Sequence, residues 1–120
     1  MVLKTKSILV EPSPNDGWRV CVMRKIRSEY KFDFHWQFLA PSIELLQGYK
    51  DKSVSWEEYV PRFRKEVLEP YSDFIKDIAW LATDRNITLL CYERTAEQCH
   101  RRLLAKECKK YEPNLEVALK

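Results

Sequence analysis

Short apolar runs along the chain predict strands that alternate with helices. Residues 7–10 and 87–92 are compact and apolar, and residues 18–23 hardly alternate, which predicts a strand buried on both faces. Residues 115–119 alternate between apolar and polar side chains and predict an edge strand. The pattern therefore indicates four strands, with 87–92 the clearest of them.

The middle of the chain has the start signals of two helices. Pro41 can occupy the first turn of a helix over 42–48. A capping box, in which Ser55 caps an amide and Glu58 reaches back, predicts a helix start, and Pro61 predicts a kink or restart. One face of this helix should point to the core through Trp56, Tyr59, Phe63 and Val67.

Two more helices are predicted in the second half. The first opens at Pro70 and should point Phe74, Ile78 and Leu81 inward, with Trp80 near the edge of that face. The second should begin at the capping-box pattern of residues 95–98 and run to about residue 110. Residues 34–39 remain open between a short helix and a covering loop.

Strands separated by helices predict the α/β fold class. With 120 residues we expect a single domain with a small central parallel or mixed sheet and helices packed on both faces. The sheet is left open between parallel and mixed because a short turn joins residues 7–10 to 18–23, which could form a hairpin.

Composition narrows the class of protein only modestly. Hydrophobic residues make up 45% of the chain, so a packed core is feasible. The formal charge of +3 permits an anionic ligand or nucleic acid without requiring either. The absence of a signal-peptide pattern and of a long apolar span predicts a cytoplasmic protein with no membrane partner, in which the four cysteines are free thiols.

The densest set of reactive side chains surrounds the end of the 87–92 strand. Cys91 lies at the end of this strand, Glu93 lies in the turn after it, and the first turns of the next helix contain Cys99, His100 and Arg101. Ligands bind at the carboxyl ends of strands in open α/β sheets, and a helix N-terminus favours an anion. The sequence therefore predicts a ligand site at this turn.

Each of these residues also has a purely structural interpretation. Glu93 and His100 are the candidates for general acid/base catalysis, and Arg101, with Arg24 from the end of the second strand, for binding an anion. Cys91 and Cys99 are assigned to ligand contact, although free cysteine is often a buried packing residue. Alternatively, a bonded pair of Glu93 and Arg101 only fixes the turn.

Thiolate and imidazole ligands for a metal could come from Cys91, Cys99 and His100, with His35 as a further candidate. The spacing of these residues lacks the close cysteine pair of structural zinc sites, so the sequence predicts no metal, and it leaves the cofactor unknown. A nucleophile pair of Cys91 and His100 requires hydrogen-bond contact, which a sequence cannot show.

A second, different function is suggested by the basic aromatic segment from Arg24 to Lys31. Basic side chains interleaved with rings suit single-stranded nucleic acid. The favoured interpretation is a loop that folds its rings onto the core, because the whole chain is only mildly basic.

Four ordered motifs resemble the domain-of-unknown-function 488 family, specifically its short YeaO-like branch. They are Asp16–Arg24 (DGWRVCVMR), Ala40–Ser42 with Glu44 and Leu45, Trp56–Tyr59 with Phe63, Glu66 and Val67, and Cys91-x-Glu93 with Cys99–Arg101. The resemblance implies a small α/β domain and supplies no activity, because the family is uncharacterised. The family pattern has an aspartate where this chain has Met23.

The sequence thus predicts a pocket for an anionic, nucleotide-like ligand at the turn that carries Cys91, Glu93, Cys99, His100 and Arg101. Whether the protein is an enzyme is left open. The alternative is a nucleic-acid-binding module without catalysis.

Overall fold

The computed structural model describes residues 1–94 and 96–120 and contains a five-stranded parallel sheet. The strands are β1 (Val2–Ser7), β2 (Trp18–Cys21), β3 (Phe34–His35), β4 (Ile87–Cys91) and β5 (Glu116–Leu119), and their order across the sheet is β3-β2-β4-β1-β5. All the pairings are parallel. The α/β class is confirmed, and the sheet is parallel rather than mixed.

The predicted first strand was wrong in position. The strand covers Val2–Ser7, whereas the apolar run 8–10 forms the turn that follows it. Leu3, Thr5 and Ser7 are buried and alternate with half-buried neighbours. The inward face thus has two small hydroxyl side chains, which weakens the apolar signal that identifies a strand in a sequence.

The central strand β4 lies between β1 and β2. These two strands therefore do not pair as a hairpin, which was one of the two predicted alternatives. Every residue of β4 is buried, and its neighbours are β1 on one side and β2 on the other. Parallel neighbours need crossover connections, and the long segment between β2 and β4 provides one. The carboxyl ends of β1, β2 and β4 therefore lie at one edge of the sheet.

The helices of the middle segment follow the predicted signals closely. Helix α1 (Ile43–Lys50) is capped by Ser42, and α2 (Trp56–Phe63) by the Ser55–Glu58 capping box. Directly after α2, residues 64–68 form a π-helical turn, with the Glu69 amide bonded to the Arg64 carbonyl at 2.9 Å. Pro61 removes an amide inside α2, and the backbone departs from α-helical bonding just beyond it.

The stripe predicted for α2 does face the core. Tyr59, Phe63 and Val67 are buried, and Trp56 packs against them while partly exposed.

The face of α3 (Ser72–Ala82) was only partly predicted. Ile75, Ile78, Ala79 and Ala82 are buried, whereas Phe74 is exposed and Leu81 is intermediate. Trp80 is 64% exposed, so it lies on the solvent side of the helix. Small alanines, which are apolar but inconspicuous, form half of the buried face.

The last helix is α4 (His100–Tyr111), and its N-cap is Cys99, four residues after the predicted cap. Residues 96–98 form bends and turns before it. Thr95, the predicted cap, lies outside the described residues. The sequence 34–39 forms strand β3 and a 3₁₀ turn over Gln37–Leu39, and the predicted edge strand β5 is confirmed.

A buried carboxylate before β2 forms ion pairs with one side chain of β1 and one of β2. The Asp16 side chain is 1% exposed and forms ion pairs with Lys6 (2.9 Å) and Arg19 (2.6 Å). Burial by itself raises the pKa of Asp16, but hydrogen bonds from Ser13, Lys6 and Arg19 outweigh burial and hold this pKa well below its usual range. Asp16 therefore stays ionised well into the acid range and holds the loop before β2 through its ion pairs.

No helix among the described residues is long and apolar enough to cross a membrane.

Candidate functional site

The carboxyl end of β4 positions the candidate site. Cys91 is the last residue of this fully buried strand, and its side chain is buried at 3% exposure. Glu93 follows two residues later on an exposed turn, yet its carboxylate reaches back to the strand end. The Cys91 thiol donates a hydrogen bond to Glu93 Oε2 at 3.2 Å. This contact joins the last residue of β4 to the turn that follows it.

The start of α4 brings a second thiol and an imidazole to the same point. Cys99 Sγ lies 3.4 Å from the Glu93 carboxylate oxygen, and His100 Nδ1 lies 3.5 Å from Cys91 Sγ and 3.9 Å from Cys99 Sγ. The sulfur and nitrogen atoms of Cys91, Cys99 and His100 all lie within 4.8 Å of one another. We call these three residues and Glu93 the thiol cluster.

The His100 ring is fixed from its far side. Its Nε2 lies 2.7 Å from the main-chain carbonyl of Val22, and its ring packs on Phe63 of α2 at 5.7 Å between centroids. The Val22 amide in turn donates to the Leu90 carbonyl, so the strand ladder positions the acceptor. Since a carbonyl can only accept, Nε2 bears a hydrogen, and in the neutral ring Nδ1 has the lone pair. Cys91 Sγ also lies 3.9 Å from Nε2, so this sulfur lies beside the ring and not on the axis of that lone pair.

The surroundings shift the pKa values of three members of the thiol cluster. Burial raises the pKa of Glu93, but its own backbone amide, the Cys91 and Cys99 thiols and nearby His100 outweigh burial and lower it. Burial lowers the pKa of His100, yet the hydrogen bond with Cys99 leads the contributions that raise it. The contact with Cys91 and burial raise the pKa of the Cys99 thiol. In the protein alone Glu93 is therefore ionised and Cys99 is a protonated thiol.

Arg101 is buried, whereas the anion-binding role predicted for it requires a side chain that a ligand can reach. Its side chain is fully buried at 0% exposure, and it donates to the main-chain oxygens of Glu93 (2.9 Å) and Lys120 (3.0 Å). It also lies 3.5 Å from Cys99 Sγ. The guanidinium bonds the backbone of Glu93 and not its carboxylate. The contact therefore resembles the alternative in which Arg101 only fixes the turn, except that the acceptor is a main-chain oxygen. Its role in ligand binding stays a prediction.

Arg24 also bonds to main chain. Its Nε donates to the Pro41 carbonyl at 2.7 Å, and the Arg24 carbonyl accepts from Gln37. Among the described residues, the structure records no hydrogen bond or ion pair between Arg24 and the thiol cluster. This contact holds the loop before α1 against the end of β2, and a ligand role for Arg24 likewise stays a prediction.

An open groove lies beside the thiol cluster. It has a volume of about 460 Å³ and is formed by α1, the loop to α2, and the turn after β4. Its polar lining consists of Tyr49, Lys50, Lys52, Ser55, Glu93 and Gln98. We call it the Glu93 groove, because Glu93 belongs to both the groove and the thiol cluster. Sequence reasoning missed Lys50 and Lys52, since nothing in their local pattern places them near residue 93.

The basic aromatic segment is partly neutralised by its own neighbours. Arg27 lies 3.8 Å from Glu29, and Lys31 lies 3.5 Å from Glu11, both as exposed ion pairs. The adjoining rings pack on one another, with Phe34 against Trp18 and Trp36. Nucleic-acid binding by this segment stays a prediction that no specific contact favours.

The fold and the site together define a class of protein: a parallel α/β domain with a buried thiol–imidazole cluster at the carboxyl end of its central strand. Residues 3–112 match the family model DUF488-N3a, described as the active DUF488-N3 subclade. The chain belongs to the DUF488 family, which confirms the resemblance seen in its four motifs. Comparison with curated proteins and with solved structures gives no match.

Proposed function

We propose that this protein is an enzyme that binds a small anionic molecule in the Glu93 groove and uses the Glu93 carboxylate for proton transfer. One observation carries the proposal: the carboxylate that lines the groove also contacts the buried thiols of Cys91 and Cys99. A carboxylate that is open to solvent can exchange a proton with a bound ligand, and its contact with buried thiols brings further reactive groups close to that ligand.

The charges of the groove favour an anionic ligand. Two lysines, Lys50 and Lys52, line it together with a single carboxylate, that of Glu93. An anionic group of the ligand would lie against the two lysines, with its reacting atom toward Glu93. The volume of about 460 Å³ lies within the usual range for small-molecule sites, about 300–1,000 Å³. In this proposal the two lysines bind the anion, the role that the sequence predicts for Arg24 and Arg101.

Glu93 is a better candidate than His100 for the proton-transfer group. His100 is only 6% exposed, and its two ring nitrogens face the Val22 carbonyl and the sulfurs. A general acid or base must reach the proton that it moves within hydrogen-bond distance. Glu93 is exposed and meets this condition from the groove. The description of the matched subclade as active agrees with an enzymatic role.

Binding is tested by calorimetric titration with inorganic phosphate, pyrophosphate and adenosine monophosphate. The Lys50→Met/Lys52→Met double variant should weaken binding at least about tenfold, the equivalent of one lost charge-assisted contact. Lys65→Met is the matched control, because Lys65 is an exposed lysine outside the groove, on the π-helical turn. Equal affinities of the wild type and the double variant would refute the anion site.

Catalysis is tested separately with Glu93→Gln. This variant keeps the shape of the side chain and removes its ability to accept a proton, so ligand binding should persist. In a screen of phosphorylated metabolites, product formation should fall about 10²–10⁴-fold for any substrate that the wild type converts. A variant with undiminished turnover would show that Glu93 is not the acid or base.

A further inference from the structure

We propose that Cys91, Cys99 and His100 bind a zinc ion, with the Glu93 carboxylate as the fourth donor. This site differs from the sequence-based expectation of no metal, which rested on spacing along the chain. The inference does not depend on the proposed activity, because metal binding is measured without any ligand in the groove.

The first argument is the geometry of the donor atoms. A tetrahedral ion with Zn–S distances of about 2.3 Å and Zn–N or Zn–O distances of about 2.0 Å keeps sulfur about 3.5 Å from nitrogen or oxygen. The corresponding distances here are 3.5 and 3.9 Å from the two sulfurs to His100 Nδ1. From the same sulfurs to Glu93 Oε2 they are 3.2 and 3.4 Å. Four of the six donor–donor distances therefore fit one tetrahedron, and the two sulfurs and the ring nitrogen all lie within 4.8 Å of one another. Cys91 Sγ, which also lies 3.9 Å from Nε2, has to move toward the Nδ1 axis when the ion binds.

The second argument is the support behind the imidazole. A histidine that binds a metal commonly donates its other ring nitrogen to a carbonyl or carboxylate, which fixes the tautomer. Here Nε2 donates to the Val22 carbonyl at 2.7 Å, and Nδ1 lies 3.5 and 3.9 Å from the two sulfurs. The ring is thus held in the tautomer in which Nδ1 can bind an ion.

The third argument is the buried charge of Arg101. The guanidinium is 0% exposed, and its Nε–H has no hydrogen-bond partner among the described residues. Within the same residues, no side-chain carboxylate lies within salt-bridge distance of it. A buried cation is costly unless an anion lies near it. Zinc binding would make Cys99 a thiolate, 3.5 Å from Arg101 Nη1, and so supply that anion.

The donor set selects zinc over harder cations. Two thiolates and an imidazole suit a borderline-soft ion, whereas magnesium and calcium take oxygen ligands. Glu93 is the only exposed donor, so an incoming ligand can displace it. Three protein ligands with one open position form the arrangement of a catalytic zinc site, and a displaced Glu93 would remain beside it as a proton acceptor.

The test measures zinc in protein purified without chelators. We expect about one zinc per wild-type chain, and Cys99→Ser should weaken zinc binding by more than the 10–100-fold that is typical of losing an outer-shell partner. Cys108→Ser is the matched control, because Cys108 is equally buried but bonds to the Ile75 carbonyl away from the cluster. Zinc loss in both variants, or in neither, would overturn the site.

A second measurement covers the case in which Cys99→Ser does not fold. Chelator-stripped wild-type protein is titrated with cobalt, which should give a thiolate-to-cobalt charge-transfer band and the visible bands of tetrahedral coordination. His100→Gln should lose the tetrahedral bands. Purified wild type with no bound metal, and a cobalt titration without a thiolate band, would overturn the proposal. A disulfide between Cys91 and Cys99 in place of the metal would also overturn it.

Discussion

Arg101 provides a direct test of whether a buried arginine at the site is structural or binds ligand. We consider Arg101→Met, which keeps a long apolar stem and removes the guanidinium. The wild-type group donates to the Glu93 carbonyl at 2.9 Å and to the Lys120 main-chain oxygen at 3.0 Å. Methionine fills similar space but leaves both oxygens without this donor. The loss should therefore appear mainly as stability.

The size of the effect follows from these two contacts. A hydrogen bond to a charged donor contributes about 1.5–3 kcal/mol to stability. Two such bonds at the lower value give about 3 kcal/mol, because the Lys120 end of the chain is exposed to water. For a domain of 120 residues, 1 kcal/mol corresponds to about 4 °C in Tm. Arg101→Met should therefore lower Tm by about 12 °C.

The assay is thermal unfolding followed by circular dichroism, with and without phosphate. Arg102→Met is the matched control, because Arg102 is the neighbouring, half-buried arginine and its side chain has no hydrogen bond recorded among the described residues. The control should change Tm little, and both variants should keep any phosphate-induced shift. If Arg101→Met keeps its Tm and loses the phosphate shift, Arg101 contacts the ligand and the structural interpretation is refuted.

Two further predictions concern the loop before β2. Because hydrogen bonds hold the folded-state pKa of Asp16 below its unfolded value of about 3.9, its stabilising contribution is complete above that pH and is lost as the pH falls. Asp16→Asn should lower the free energy of unfolding by about 3–5 kcal/mol at pH 7. The difference between the urea midpoints of the wild type and the variant should shrink as the pH falls, and a difference independent of pH would contradict this prediction. Gly17→Ala should destabilise the fold by more than Gly48→Ala in urea unfolding, because Gly17 has a φ of 65° and an added Cβ would lie 1.9 Å from the Asn86 carbonyl oxygen. Equal midpoints for the two alanine variants would contradict the proposed clash.

Some elements of the fold were predictable from the sequence because their signals are local. The Ser55–Glu58 capping box and the run of β4 are local signals, since a cap or a continuous apolar strand is written in adjacent residues. Strand β1 was misplaced because its buried face includes Thr5 and Ser7, which are hydroxyl residues. The parallel order could not be read locally, because the choice of strand neighbour depends on contacts distant in sequence.

For the site, the sequence by itself determined which side chains lie between β4 and α4. Cys91 ends the strand, Glu93 lies in the turn after it, and Cys99, His100 and Arg101 lie at the start of the helix. Tertiary structure alone decided what they face. Packing of α4 against the strand ends turns His100 toward the sulfurs and buries Arg101 against main-chain oxygens. It also brings Lys50 and Lys52 from α1 and the loop after it to the groove. The physical reason is that local composition fixes secondary structure, whereas distances between residues far apart in the chain depend on how the elements pack.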